Sequence, residues 1–227
     1  MSLTSFTSLG YGTNITGRVK NSVDALVEGK TPLLNLGFSN TTDVIKRSTG
    51  GDFSISSGVL MLNTSTNVSL NQTLMASIPS LLNKTIIVDM KWGNLENQSS
   101  YVLYGANSTG GNGIFIRREF VPFNQESRLR NYTSLNWTST NAQIGTGYNR
   151  ILSSLSTSYL THVISIDNSG ISKHAFQDEL SATFDSDSYS TISSPAIANN
   201  QNFIGFISGN KSVTYVRNLR IYGEALL

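Results

Sequence analysis

Two histidines, His162 and His174, are the only imidazoles in 227 residues, and there is no cysteine. Imidazole can serve as a general base or activate a hydroxyl, but only with a carboxylate and a nucleophile held in line. As a zinc ligand it needs three or four partners, and neither histidine has a carboxylate at metal-ligand spacing. The expectation is one histidine at the edge of the core and one exposed, with no catalytic group and no metal. Asp178 and Glu179 are adjacent, so in a strand they would point to opposite faces, and a turn suits them better. Asp185-Ser186-Asp187 offers oxygens to Ca²⁺ but lacks the further ligands a hard cation requires, and Asp-Ser is ordinary turn chemistry. Gly145-Thr146-Gly147 and the run Gly110 to Gly113 are not phosphate loops, because neither continues into a helix with the required Lys or third Gly. No cofactor is expected.

Aromatic side chains are the more suggestive set. Trp92, Tyr101, Tyr104, Trp137 and Tyr148 lie beside Asn-rich loops, and carbohydrate recognition uses flat apolar faces flanked by amides and hydroxyls. Tyr104, Trp137 and Tyr148 are the candidate sugar-stacking residues. The competing reading makes Trp92 a core anchor and lets the tyrosines line strand edges.

The elements that must position these residues are strands. Thr85 to Trp92 alternates, with Ile86, Val88, Met90 and Trp92 on one face. Tyr159 to Ile166 does the same with Leu160, His162, Ile164 and Ile166, turns at Asn168-Ser169-Gly170, and is answered by Ile171 to Phe176. Tyr101 to Tyr104 and Ile114 to Arg118 form a hairpin, and Tyr132 to Trp137 follows as another strand. Leu70, Leu74 and Ile78 recur every four residues, which predicts a short surface helix capped by Ser69 or Asn71 and ended by Pro79. Asn202 to Leu227 reads as two strands hinged at Ser208-Gly209-Asn210. In the second, Val213, Tyr215, Leu219 and Ile221 face the core, Thr214, Asn218 and Arg220 face water, and Arg217 breaks the apolar row.

That last stretch carries a family resemblance. A Gly-bearing strand, a turn, a strand ending Leu219-Arg220-Ile221-Tyr222 and then Gly223-Glu224-Ala225-Leu226 resembles the closing hairpin of concanavalin A-like, laminin-G-like jelly rolls, and the order of elements follows it back to about residue 31. The resemblance implies an all-β fold, a two-sheet antiparallel jelly-roll β-sandwich. The chain departs from it where Gln177-Asp178-Glu179 stands for the family's Asp-Gly turn. Glycan-cleaving relatives carry Glu-x-Asp-x-x-Glu on one strand, and no such motif occurs, which disfavours a glycosidase.

Composition narrows the function. Charged residues make up 13% of the chain, 16 basic against 14 acidic for a net +2, with no long run of either sign. A dedicated nucleic-acid or anionic-membrane surface would need a basic cluster. No apolar run approaches a membrane span. Asn-x-Ser/Thr triplets at Asn14, Asn40, Asn71, Asn83, Asn131 and Asn136 reflect composition in a chain that starts without a signal peptide. Residues 1–30 read as an N-terminal arm that docks on a neighbour or, alternatively, as a leading part of the sandwich. A helical turn is expected at 21–28, capped by Asn21 or Ser22 and stopped at Gly29, and residues 31–227 form the sandwich. The apolar close Ala225-Leu226-Leu227 suggests cover by neighbours and a symmetric homo-oligomer. These features together point to a non-enzymatic component of a virus particle, a bacteriophage head-decoration or tail-fibre protein that is made in the host cytoplasm and contacts other virion proteins. The alternative is a carbohydrate-binding, lectin-like module recognising cell-surface glycans. A polysaccharide-acting enzyme ranks below both.

Overall fold

Alternation decides the centre of the molecule. The computed structural model describes residues 22–40, 44–46, 51–64, 71–75, 78–92, 99–106, 113–121, 126–135, 138–143, 150–152, 158–179, 181–182, 184, 190–192, 202–209 and 213–227. Among them are sixteen strands and one short helix: α1 (Val23–Leu26), β1 (Leu34–Leu36), β2 (Val44–Lys46), β3 (Gly51–Ser56), β4 (Val59–Thr64), β5 (Asn71–Met75), β6 (Lys84–Trp92), β7 (Ser99–Ala106), β8 (Ile114–Val121), β9 (Glu126–Leu135), β10 (Thr138–Gln143), β11 (Arg150–Leu152), β12 (Leu160–Ile166), β13 (Ser172–Asp178), β14 (Ser190–Ile192), β15 (Phe203–Gly209) and β16 (Val213–Tyr222). They form two antiparallel sheets. The first runs β14-β13-β12-β6-β16-β4-β3, with β1 also on β16. The second runs β10-β9-β8-β7-β15-β5-β2, with β11 on β9.

Between the sheets lies one apolar core. From the first sheet it takes Leu60, Leu62, Ile86, Val88, Met90, Leu160, Ile164, Ile166, Phe176, Val216, Leu219 and Ile221, and from the second Tyr104, Ile114, Ile204 and Phe206, with Phe38 meeting Phe206 edge-on at 6.4 Å. Of the inward rows expected on β6 and β12, Ile86, Val88, Met90, Leu160, Ile164 and Ile166 are in it, and His162 is buried beside them. The β3–β4 hairpin turns on Ser57 and Gly58 at φ 51° and 77°, the two positive values a two-residue turn of matching twist requires. A Cβ on Gly58 would stand 3.1 Å from the Gly37 carbonyl oxygen, so the position is closed to larger residues in two ways.

Four expectations are corrected. The spacing of Leu70, Leu74 and Ile78 is not helical: Asn71–Met75 is a strand between β15 and β2, so its period-four match is accidental. β15 and β16 do not pair with each other; the chain leaves the second sheet at Gly209 and re-enters the first at Val213. Turn residues specify a reversal of the chain but not which strand receives it. In β16 the first half is out of phase with the reading, because Thr214 and Val216 are buried while Val213 and Tyr215 turn outward. A bulge between Arg217 and Arg220, with Asn218 at φ 54°, adds one residue opposite Asp89 and Ile87 and brings Leu219 and Ile221 back inside. Arg217 therefore breaks nothing; it belongs to the outward row.

The fourth correction concerns the ends. Ser22 caps α1 by accepting from the Ala25 N–H at 3.2 Å, and Gly29 adopts φ 70° beyond the helix, as read. The segment lies on its own sheet, however. Val23 is buried with Ile87, Val163, Ala175, Phe184 and Tyr222 on the outer face, and Leu26, Val27, Leu226 and Leu227 pack against that cluster. The Val23 N–H donates to Gln177 Oε1 at 2.9 Å, and Lys30 pairs with Glu224 at 2.6 Å. The closing residues are held the same way: the Ala225, Leu226 and Leu227 N–H groups donate to Asn83 Oδ1, Thr85 Oγ1 and Ser165 Oγ. The chain's own sheet packs against this apolar tail. Residues 1–21, the rest of the expected arm, lie outside the described residues.

Candidate functional site

Outward-facing positions of the first sheet gather the described polar chemistry. β6 contributes Asp89 and Lys91, β16 contributes Tyr215 and Arg217, and Tyr159 and Glu179 flank the ends of β12 and β13. Asp89, nearly buried, accepts from Thr161 Oγ1 at 2.7 Å, Asn218 Nδ2 at 2.9 Å and Arg217 Nε at 3.2 Å. The bulge supplies this convergence, since it points Arg217 and Asn218 at one carboxylate. Arg217 Nη2 reaches Glu179 at 3.0 Å, and the guanidinium carbon sits 3.6 Å from the centre of the Tyr159 ring. Glu179 in turn accepts the Tyr159 N–H at 2.8 Å. Burial raises the Tyr159 phenol above its ordinary pKa, with Arg217 pulling the other way. Beside this lattice the Lys91 ammonium lies 4.7 Å from the Tyr159 ring centre and 5.3 Å from that of Tyr215.

Inside the sandwich a second polar group appears. His162 and His174 share the inward face of β12 and β13, stacked with ring centres 5.3 Å apart, and His162 Nδ1 and His174 Nε2 are 3.1 Å apart, so one N–H donates to the other ring. Both are buried, which corrects the expectation of one exposed histidine. Burial pushes His174 down to about 3, so the ring is neutral at ordinary pH. Among the described residues no group of three His, Asp or Glu converges to hold a metal, and Asp185-Ser186-Asp187 lies outside them.

Of the expected sugar-stacking residues, Tyr104 is 0% exposed. Its hydroxyl crosses the interior from β7 to Ser172 Oγ on β13 at 2.8 Å, and burial raises its pKa. It is a core strut with no ring face for a ligand, and the assignment is corrected. Trp137 and Tyr148 lie outside the described residues. Sequence reading missed the Lys91, Tyr159, Tyr215 and Arg217 group because it placed Tyr215 in the core. The usable signal was the outward pair Asp89 and Lys91 on a strand whose neighbours carry Arg and Tyr.

No family model matches the chain, and no curated protein matches it. Solved structures do. The chain is similar to lectin UEA-II complexed with galactose, at TM-score 0.54 and 13% identity over 85% of this chain and 99% of that one. It is similar to the CBM2 module of the evolved Dit of Lactobacillus casei BL23 phage J-1, at TM-score 0.60 and 8% identity over 86% and 96%. It is also similar to the exoplasmic/lumenal domain of VIP36 in its Ca²⁺/Man3GlcNAc-bound form, at TM-score 0.61 and 9% identity over 83% and 88%. The fold is the concanavalin A-like, lectin-type jelly roll that the closing stretch of the sequence resembles. Among the described residues no helix is long and apolar enough to cross a membrane.

Proposed function

We propose that this chain is a non-enzymatic carbohydrate-recognition module. The observation that carries the reading is the two-sheet fold, shared over more than four-fifths of the chain with a galactose-complexed lectin, an oligosaccharide-bound domain and a carbohydrate-binding module. Trp137 and Tyr148 are its proposed stacking residues. A glycan array should find at least one bound sugar, and Trp137→Ala or Tyr148→Ala should lower that affinity by about tenfold without shifting the melting temperature. An array with no binding, or binding indifferent to both substitutions, overturns the assignment.

A second reading, that the module works on a bacteriophage particle, is favoured by its likeness to the phage Dit module. The chain would then sit among other virion proteins in the head or tail, as a homo-oligomer made in the host cytoplasm. Antibody to the folded module should label purified particles and co-sediment with them; particles that carry no copy remove this reading and leave the first standing.

A further inference from the structure

The outer face of the first sheet holds a lysine, Lys91, that stands over aromatic rings and, among the described residues, not in an ion pair. Among the described residues the ion pairs join Lys30 to Glu224 and Arg217 to Asp89 and Glu179, and Lys91 enters none of them. Arg217 is already committed: Nε and Nη2 donate to carboxylates and its plane lies on the Tyr159 ring. Lys91 instead offers three N–H donors over two phenol rings. Cation–π attraction positions an ammonium without using its hydrogen-bonding capacity. The half-buried Tyr215 presents an aromatic surface beside it. Asp89 and Glu179 form their ion pairs with Arg217 and not with Lys91. Asp89 already accepts from three donors, and Glu179 is engaged by Arg217 and the Tyr159 backbone.

We infer that Lys91, with the Tyr159 and Tyr215 rings, forms a binding site for an acidic sugar residue. The sugar's carboxylate would lie on Lys91 Nζ and its ring against Tyr215. Arg217 acts as a positioning residue, fixing the Tyr159 ring that carries Lys91. The sugar part of this inference rests on the carbohydrate reading above, but the site is separate from Trp137 and Tyr148. Two cations and two carboxylates make the patch neutral, so recognition comes from direct contact and not from long-range attraction. A carboxylate that reaches Lys91 gains a charge-assisted hydrogen bond in a partly desolvated setting.

The test is calorimetric titration of the whole chain with trigalacturonate and with its carboxyl-reduced counterpart, in which each carboxylate is an alcohol. Wild type should bind the acidic form at least tenfold more tightly, and Lys91→Gln should abolish that preference. Lys91→Met, which keeps the apolar stem, should lose it equally, and circular dichroism should show both variants folded. Equal affinity for the two sugars, or a preference unchanged in both variants, overturns the inference, even where Trp137-dependent binding of neutral glycans persists. Acetate displacing trigalacturonate at equal molarity also overturns it, by reducing the site to a bare anion contact. Acidic preference that depends on Lys91 but not on Trp137 supports this site and counts against the other. Binding of neither sugar, with an empty array, removes both readings.

Discussion

Ile164→Asp should unfold the protein or cost more than about 4 kcal/mol, the range reserved for buried unpaired charges. Ile164 is fully buried, sits in the middle of β12, and faces Ile86 on β6 and His174 on β13 in register. A carboxylate there would be enclosed by the apolar residues between the two sheets and by a neutral imidazole. Total stabilities of single domains run to about 5–15 kcal/mol, so one such group removes a large share. The conservative change Ile164→Val removes one methylene and should cost only about 0.5–1.5 kcal/mol. Urea unfolding of the three proteins reads the difference directly. Wild-type behaviour in Ile164→Asp would mean that the inward row of β12 is wrongly assigned.

Acid should weaken the fold through His174. An unfolded histidine protonates near 6.5, whereas the folded ring, stripped of water, resists protonation down to about 3. Between those values the unfolded chain holds more protons than the native one, so stability rises with pH. The contribution is fully present above the unfolded value and declines as pH falls from there through about 3. Its slope is on the order of 1 kcal/mol per pH unit, a few kcal/mol in all. Carboxylates titrating below pH 5 add their own terms, so the informative window is between about 6.5 and 5. Denaturant midpoints across that window should fall in wild type, and His174→Gln, which cannot titrate, should flatten the fall. An equal slope in both proteins would show that the imidazole is not the source.

The core rows of β6 and β12 were legible because period-two alternation and β-branched residues agree there, and tertiary packing had no reason to override them. Register, by contrast, is a property of pairs. Nothing in the letters Arg217-Asn218-Leu219 announces a bulge, since the extra residue exists only relative to Asp89 and Ile87 on the neighbouring strand. That single residue inverted the reading of Tyr215 and with it concealed the outward cluster. Tyr104 failed for another reason: a tyrosine beside a Gly-rich loop looks the same in sequence whether its hydroxyl meets water or Ser172. The docking of α1 was hidden because its own apolar face is short, and only the partner cluster of Ile87, Val163 and Ala175 gives it a place to lie.

The position of β16 has a consequence for synthesis. It is the last strand in the sequence, yet it sits in the middle of the first sheet, joining β6 on one side to β4 and β1 on the other. Until those residues emerge from the ribosome, the nascent chain carries two apolar strands with open edges and no means of closing the sheet. Vectorial emergence therefore offers this domain little head start: hairpins such as β3–β4 and β12–β13 can form as they appear, but the sandwich must wait for its final strand. Pairing Leu34 with Ile221 across nearly the whole chain puts the protein among the slow, high-contact-order folders, whose exposed edges invite association with other chains before closure.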